Sequence, residues 1–341
     1  MSEDQDSLKQ KNLEQPGLKQ DYTDLTPETI LSAVEDLGYE TSGRMLALNS
    51  YENRVYRCDL EQGGAVIAKF YRPGRWSDLA IKEEHKFAQD LLEQEIPIVA
   101  PLIISGESLN EFQGYRFALF PLRGGRWPDL ETRDDLNWMG RFIARIHNVG
   151  RTSLFQHRQQ IEVNRMGRES AAFLQQNGFI PGYLELAYRT LVDDLLKEIE
   201  AAFARCANYQ KIRLHGDCHR SNVLWTDDGP HFVDLDDCCN GPAIQDLWML
   251  LSGDREEMTG QMCDLLEGYE EFAELDLNEL QLIEALRSLR MMHYAAWLAR
   301  RWNDPAFPLA FPWFNTSQYW EEHVLELREQ LSRLHEPVLV V

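Results

Sequence analysis

The sequence predicts an α+β chain with two lobes, a small lobe built on an antiparallel β-sheet and a large, mainly helical lobe after it. Three observations predict this. Short strand-like runs separated by polar turns fill the stretch 45–120. Helical periodicity takes over past 123–125. The length, 341 residues, suits two domains or one two-lobed unit. The expected boundaries are a mobile polar tail over 1–24, a first lobe over 25–122 and a second over 123–341.

The elements follow in order. The tail is polar and has no periodicity. Thr26 is a good N-cap, with Pro27 at the first helical position and Glu28 in the first turn. Ile30, Leu31, Val34 and Leu37 then form one apolar stripe that Gly38 stops. Strands are expected at 45–48, 54–58 and 65–71, with turns at 49–53 and 61–64. Ser77 caps a long helix that runs to about Gln94 and stops before Pro97. Two further strands are expected at 102–104 and 115–120. Helices follow at 134–149, 182–207, 256–273, 277–303 and 316–334, interrupted by short strands around 213–236.

Composition narrows the function. Lys plus Arg is 34 and Asp plus Glu is 56, a net charge of −22. So acidic a chain repels nucleic-acid phosphates, so no nucleic-acid partner is expected. No apolar run is long enough to span a bilayer, and the N-terminus has no signal-peptide core. The expectation is a cytoplasmic monomer with no membrane partner. The six cysteines make no CxxC pair and no disulfide framework, and fit a reducing compartment.

The island inside the helical half carries the chemistry. Val223–Thr226 and 231–234 flank the turn Asp227-Asp-Gly-Pro230 and read as a hairpin. Setting Thr226 opposite His231 puts Val223 opposite Asp234. Asn222 and Asp234 then lie side by side at the open end, to within one residue. The preceding loop can bring Asp217 to the same end. One amide and two carboxylates make an oxygen-donor set that suits Mg²⁺ together with phosphate oxygens.

The pattern His215-Gly-Asp-x4-Asn222, with a strand ending in Asp234, resembles the catalytic segment of aminoglycoside phosphotransferases and choline kinases. These families share the protein-kinase fold, so the resemblance implies a two-lobed protein-kinase-like architecture. It also implies that Asp217 is the catalytic Asp, that Asn222 is a metal ligand, and that Asp234 is the metal-binding Asp that serves catalysis. Asp236, two residues on, either joins that metal site or is structural. His215 and His219 are expected to shape the loop through hydrogen bonds, with proton shuttling as the other reading, and Asp246 resembles the buried Asp that ties the catalytic loop to a helix. In the first lobe the resemblance implies that Lys69 contacts the ATP α- and β-phosphates and pairs with a helix Glu. Glu84 shares the apolar face of Ala80, Ile81, Phe87, Ala88 and Leu91 and is preferred; Glu83, on a wetter face, is the alternative. The loop 49–53 lacks glycines, so the Ser50 side chain is a candidate to reach the phosphates, with a simple turn as the other reading. The stretch 119–122 fits the hinge that holds an adenine.

Over about 26–335 the chain resembles the bacterial stress response kinase A family, through 48–54, 69–75, the His215 island and 305–314. That resemblance implies an ATP- and Mg²⁺-dependent serine/threonine protein kinase acting in stress responses, with ATP and a Ser/Thr-bearing protein as partners. Two other readings stand beside it. One is a small-molecule kinase for a choline-like or amino-sugar hydroxyl, with the aromatic stretch 307–320 as a cation cage. The other is a non-catalytic nucleotide-binding scaffold, against which Lys69, Asp217, Asn222 and Asp234 are all present. A zinc site of His215, Cys218, His219, Cys238 and Cys239 has suitable residue types but no common zinc spacing.

Overall fold

Strand alternation decides which face of the sheet each first-lobe residue takes. The computed structural model of the protein describes residues 18–19, 21–227 and 229–341. Helix α1 spans Pro27–Asp36, with the Thr26 hydroxyl accepting from the Thr29 N–H. Five antiparallel strands follow: β1 Thr41–Ala47, β2 Arg54–Leu60, β3 Ala65–Phe70, β4 Asn110–Phe112 and β5 Tyr115–Pro121, in the order β1-β2-β3-β5-β4. Helix α2, Asp78–Glu93, is capped by Ser77 and inserted between β3 and β4.

One face of the sheet presents Val66, Ala68, Phe70, Tyr115, Phe117 and Leu119 to Ile30, Ala33 and Val34 of α1. The alternate residues face the other way. Lys69 stands opposite Ala118 in the β3–β5 register, and Ala118 packs with Ala80 and Ile81 of α2. Lys69 therefore falls on the α2 side of the sheet. The stretch 102–104, expected as a strand, is an irregular run. Leu102 N–H bonds the Leu119 carbonyl at 2.7 Å and Ile104 bridges to Glu107, while the edge strand forms later, at Asn110–Phe112. Of the expected tail, residues 1–17 and 20 lie outside the described residues. Tyr22 packs on the first core; its hydroxyl donates to the Phe70 carbonyl at 3.0 Å, and Arg54 lies over its ring.

The chain forms two compact units. The first runs to Pro128 and takes in Phe155–Arg158 and Ser221–Asp236; the second comprises Asp129–Leu154, Gln159–Arg220 and Asp237–Val341. Chain order alone assigns 155–158 and 221–236 to the second lobe. Their hydrogen bonds explain the difference. Strands β7, Val223–Thr226, and β8, Gly229–Phe232, form a hairpin whose ends bond to the segment after α2: Phe232 N–H donates to the Pro97 carbonyl and Val99 N–H to that of Phe232. The hairpin is tighter than expected, with Thr226 opposite Gly229 and Val223 opposite Phe232. Asn222 still reaches the residue before Asp234, because its carbonyl accepts from Val233 N–H at 3.0 Å.

The second unit is helical: α3 Arg133–Gly150, α4 Glu169–Gln176, α5 Glu185–Arg205, α6 Ile244–Trp248, α7 Arg255–Tyr269, α8 Ile283–Arg300, α9 Ala306–Ala310 and α10 Ser317–Arg333. The helix expected from 277 opens instead as a 3₁₀ turn over Leu277–Leu282. Strands β6, Ile212–Leu214, and β9, Cys239–Gly241, pair at the base of the island. Helices α3 and α7 cross closely at two glycines: a Cβ on Gly140 would strike the Leu265 carbonyl oxygen, and one on Gly268 that of Asn137. Phe307, Phe311, Phe314 and Trp320 belong to the main core of this unit. Among the described residues no helix is long and apolar enough to cross a membrane.

Candidate functional site

Lys69 is buried, and three carboxylates surround its ammonium group. Its Nζ lies 3.2 Å from Asp234 Oδ1, 3.3 Å from Asp236 Oδ1 and 3.4 Å from Glu84 Oε1. Burial alone would lower its pKa; Asp236, Glu84 and Asp234, in that order, outweigh burial and hold it well above the ordinary lysine value. Of the two candidate helix acids, Glu84 is the one beside Lys69. Burial pushes its carboxyl above the usual range, against the pull of Lys69 and Arg158. Glu83 does something else. Its carboxylate accepts the backbone N–H groups of Gln156, His157 and Arg158 at 2.7, 2.8 and 3.0 Å. That fixes the short segment Phe155–Arg158, whose Arg158 guanidinium returns to Glu84 Oε2 at 3.3 Å and to the Asp236 carbonyl.

Asp236 is buried at the centre of this cluster. Burial would raise its carboxyl, but Arg75, Lys69 and Arg158 outweigh burial and hold it well below the usual carboxylate range. Arg75 Nη1 contacts Asp236 Oδ2 and lies 3.8 Å from Glu52. Asp234 is the open member of the set, with a side chain 52% exposed and a left-handed backbone at φ 61°. Asp is one of the few non-glycine types that adopt this conformation readily. Asn222 closes the 3₁₀ turn Arg220–Asn222 just before β7. Ser50 is half-buried in the turn between β1 and β2. That turn is tied down at its far end, where Arg72 N–H donates to Asn53 Oδ1 at 3.0 Å and Arg72 Nε to the Glu52 carbonyl at 2.8 Å.

Asp217 lies in the second unit and has its own set of neighbours. Its Oδ1 is 2.6 Å from Arg290 Nη1, and its Oδ2 is 3.3 Å from His219 Nε2. Burial, the largest single influence, would raise the carboxyl; Arg290, His219 and His215 together outweigh it, and the group stays well below the usual range. The loop is held from behind. Asp246, 1% exposed, accepts the His215 and Gly216 N–H groups, each at 2.8 Å, and contacts His147 Nε2 at 3.2 Å. Gly216 has φ 84°, and a Cβ there would fall on the Asp237 carbonyl oxygen.

The structure thus brings Lys69, Glu84 and Asp234 together, with Asn222 at the end of the turn before β7, its carbonyl accepting from the N–H of Val233 beside Asp234. Sequence reasoning missed Arg75, Arg158 and Arg290. The signal for them is indirect: a buried carboxylate needs a cation, but nothing local says which. Among the described residues no group of three or more His, Cys, Asp or Glu side chains is arranged to hold a metal ion. Asp234 and Asn222 offer hard oxygen donors, which fits Mg²⁺, an ion that takes one or two carboxylates and completes its shell with phosphate and water.

Comparison with known proteins gives the family. A family model described as "Phosphotransferase enzyme family" matches residues 45–283. Stress response kinase A of Escherichia coli O157:H7 is 43% identical over 318 residues, covering 93% of this chain and 96% of that protein. A Salmonella typhimurium LT2 relative with the same identity and coverage carries the name serine/threonine protein kinase RdoA. Among solved structures, amicoumacin kinase hAmiN in complex with AMP-PNP, Ca²⁺ and Ami superposes with a TM-score of 0.70 at 18% identity, covering 90% of this chain and 93% of that one. A five-stranded antiparallel sheet before a helical part and a match across most of the chain identify it as a member of the phosphotransferase enzyme family, in the group of the stress response kinases.

Proposed function

We propose that the chain is an ATP- and Mg²⁺-dependent kinase that transfers the γ-phosphoryl group to a Ser or Thr hydroxyl of proteins in a bacterial stress response. The observation that carries the nucleotide half is the buried Lys69 facing Glu84 and the exposed Asp234. The acceptor class rests on the name of the Salmonella relative.

In this reading Lys69, oriented by Glu84, binds the α- and β-phosphates. Asp234 and Asn222 hold Mg²⁺, which when bound neutralises phosphate charge. Ser50 reaches the phosphates from the glycine-free turn. Asp217 orients the acceptor hydroxyl and takes its proton late, as expected for a loose transition state. Asp234, now 3.2 Å from Lys69 Nζ, would supply its carboxylate to the ion. Residues 25–122 form the nucleotide-binding lobe, residues 123–341 carry the catalytic loop, the metal site and acceptor binding, and the chain acts as a cytoplasmic monomer. The aromatic rings at 307, 311, 314 and 320 are spent on core packing, which weighs against a cation cage.

The test is incubation with γ-labelled ATP and Mg²⁺ against a panel of Ser/Thr proteins and small alcohols, with Asp234→Ala as control. Label on protein seryl or threonyl groups, lost in the variant, supports the reading. Label only on small alcohols replaces the acceptor class. No label on any acceptor, with nucleotide still bound, favours a scaffold.

A further inference from the structure

The segment Lys69-Phe-Tyr-Arg-Pro-Gly-Arg75 contains more cationic chemistry than Lys69 alone accounts for. Arg75 follows β3 and turns back onto the same carboxylate that Lys69 uses. Lys69 Nζ sits on Asp236 Oδ1 at 3.3 Å, and Arg75 Nη1 sits on Asp236 Oδ2. The two cations therefore bracket one buried carboxylate. Their side chains are similarly accessible, 9% exposed for Lys69 and 11% for Arg75. Arg75 also lies 3.8 Å from Glu52, and Glu52 belongs to the glycine-free turn that contains Ser50. So Arg75 links the phosphate-side turn to the Asp234–Asp236 segment. Arg72 reinforces the link, with its Nε 2.8 Å from Glu52 Oε1.

We propose that Arg75 is a second phosphate-binding cation of the nucleotide site, acting beside Lys69 across Asp236 and serving in place of a glycine-rich loop. The inference rests on the reading of Lys69 and Asp234 given above. A glycine-rich loop holds phosphates with closely wrapped backbone N–H groups. The turn 49–53 has no glycine to allow that wrapping. A guanidinium supplies several N–H donors in one plane and matches phosphate oxygens well. Charge balance points the same way. With Asp234 engaged on a metal ion, the cations Lys69, Arg72, Arg75 and Arg158 would stand against the carboxylates Glu52, Glu84 and Asp236, which leaves one positive charge for the polyphosphate.

The experiment is calorimetry of the full chain with Mg²⁺ and, in turn, ATP, ADP, AMP and adenosine, for the wild type, Arg75→Gln and Arg75→Lys. A lost charge–phosphate contact acts in proportion to the phosphates it touches. Arg75→Gln is expected to weaken ATP by about tenfold or more, ADP less, and AMP and adenosine little. Arg75→Lys keeps the charge and is expected to recover part of the loss. An equal loss for all four ligands would show that Arg75 only shapes the fold of the site, and no loss for any would also overturn the proposal. If Arg75→Gln does not fold, Arg75→Lys is measured alone and is expected to weaken ATP more than AMP; an equal loss for ATP and AMP, or no loss, overturns the proposal. Failure of adenine nucleotides to bind the wild type would instead sink the kinase reading itself.

Discussion

Asp217 and the Glu83–Glu84 pair give the sharpest tests at single side chains. Asp217→Asn keeps the shape but removes the proposed proton acceptor. Turnover is expected to fall by about 10²–10⁴, with ATP affinity nearly unchanged, because the charged neighbours of Asp217 are Arg290, His219 and His215. Turnover and calorimetry on the same folded variant check this; lost ATP binding would move Asp217 to the metal side. Glu84→Gln removes the charge facing Lys69 and Arg158, so a higher KM for ATP and a lower kcat are expected. Glu83→Gln weakens three hydrogen bonds to backbone and is expected to cost about 1–3 kcal/mol of stability with little change in KM for ATP. Melting curves and ATP kinetics on both variants separate the two roles, and the reverse pattern would exchange them. The geometry of Glu84 was legible because its apolar neighbours recur at helical spacing. Arg158, 74 residues from Glu84, and Arg75, 161 residues from Asp236, left no local trace. Periodicity reports which face a residue takes, and long-range ion pairs depend on loops that have no period.

Elements defined by period and caps were readable, and those defined by partners were not. Thr26 and Ser77 marked helix starts correctly because a capping hydroxyl is a local device. The hairpin was legible as a hairpin, but its register came out two residues tighter, since turn length is set by backbone pairing that several sequences satisfy. The run at 102–104 looked like a strand from its apolar content, yet the edge of the sheet went to Asn110–Phe112. The N-terminal boundary also moves at this scale. Tyr22 buries its ring against the first core and donates to Phe70, so a truncation at residue 18 is expected to retain stability and activity. A truncation at residue 25 removes that anchor and is expected to lower stability by about 1–3 kcal/mol. Urea unfolding of the two truncated chains decides, and equal midpoints would make Tyr22 dispensable.

Over the whole molecule, acid should act first through buried histidines. Burial pushes His85 down to about 3 and His323 to about 4, against about 6.5 in an unfolded chain. Between those values the unfolded chain binds the protons and the folded chain does not. Stability is therefore complete above about pH 6.5 and falls as pH drops toward the folded values, by up to about 1.4 kcal/mol per pH unit for each histidine. Urea midpoints measured between about pH 7.5 and 5.5 check the slope, and His323→Gln should flatten it; a level profile would count against both assignments. The division of the chain has a further consequence, for synthesis. The first compact unit takes its last pieces from Phe155–Arg158 and Ser221–Asp236, so it is unfinished when Pro128 leaves the ribosome. About a hundred residues must still be made, roughly 5–20 s at ordinary elongation rates. During that interval Lys69 and Glu84 lack Asp234 and Asp236, and for its first part they lack Arg158 as well. A nascent chain arrested anywhere before residue 236 should be open to proteolysis across the β-sheet, and protection should arrive abruptly once that residue has cleared the exit tunnel.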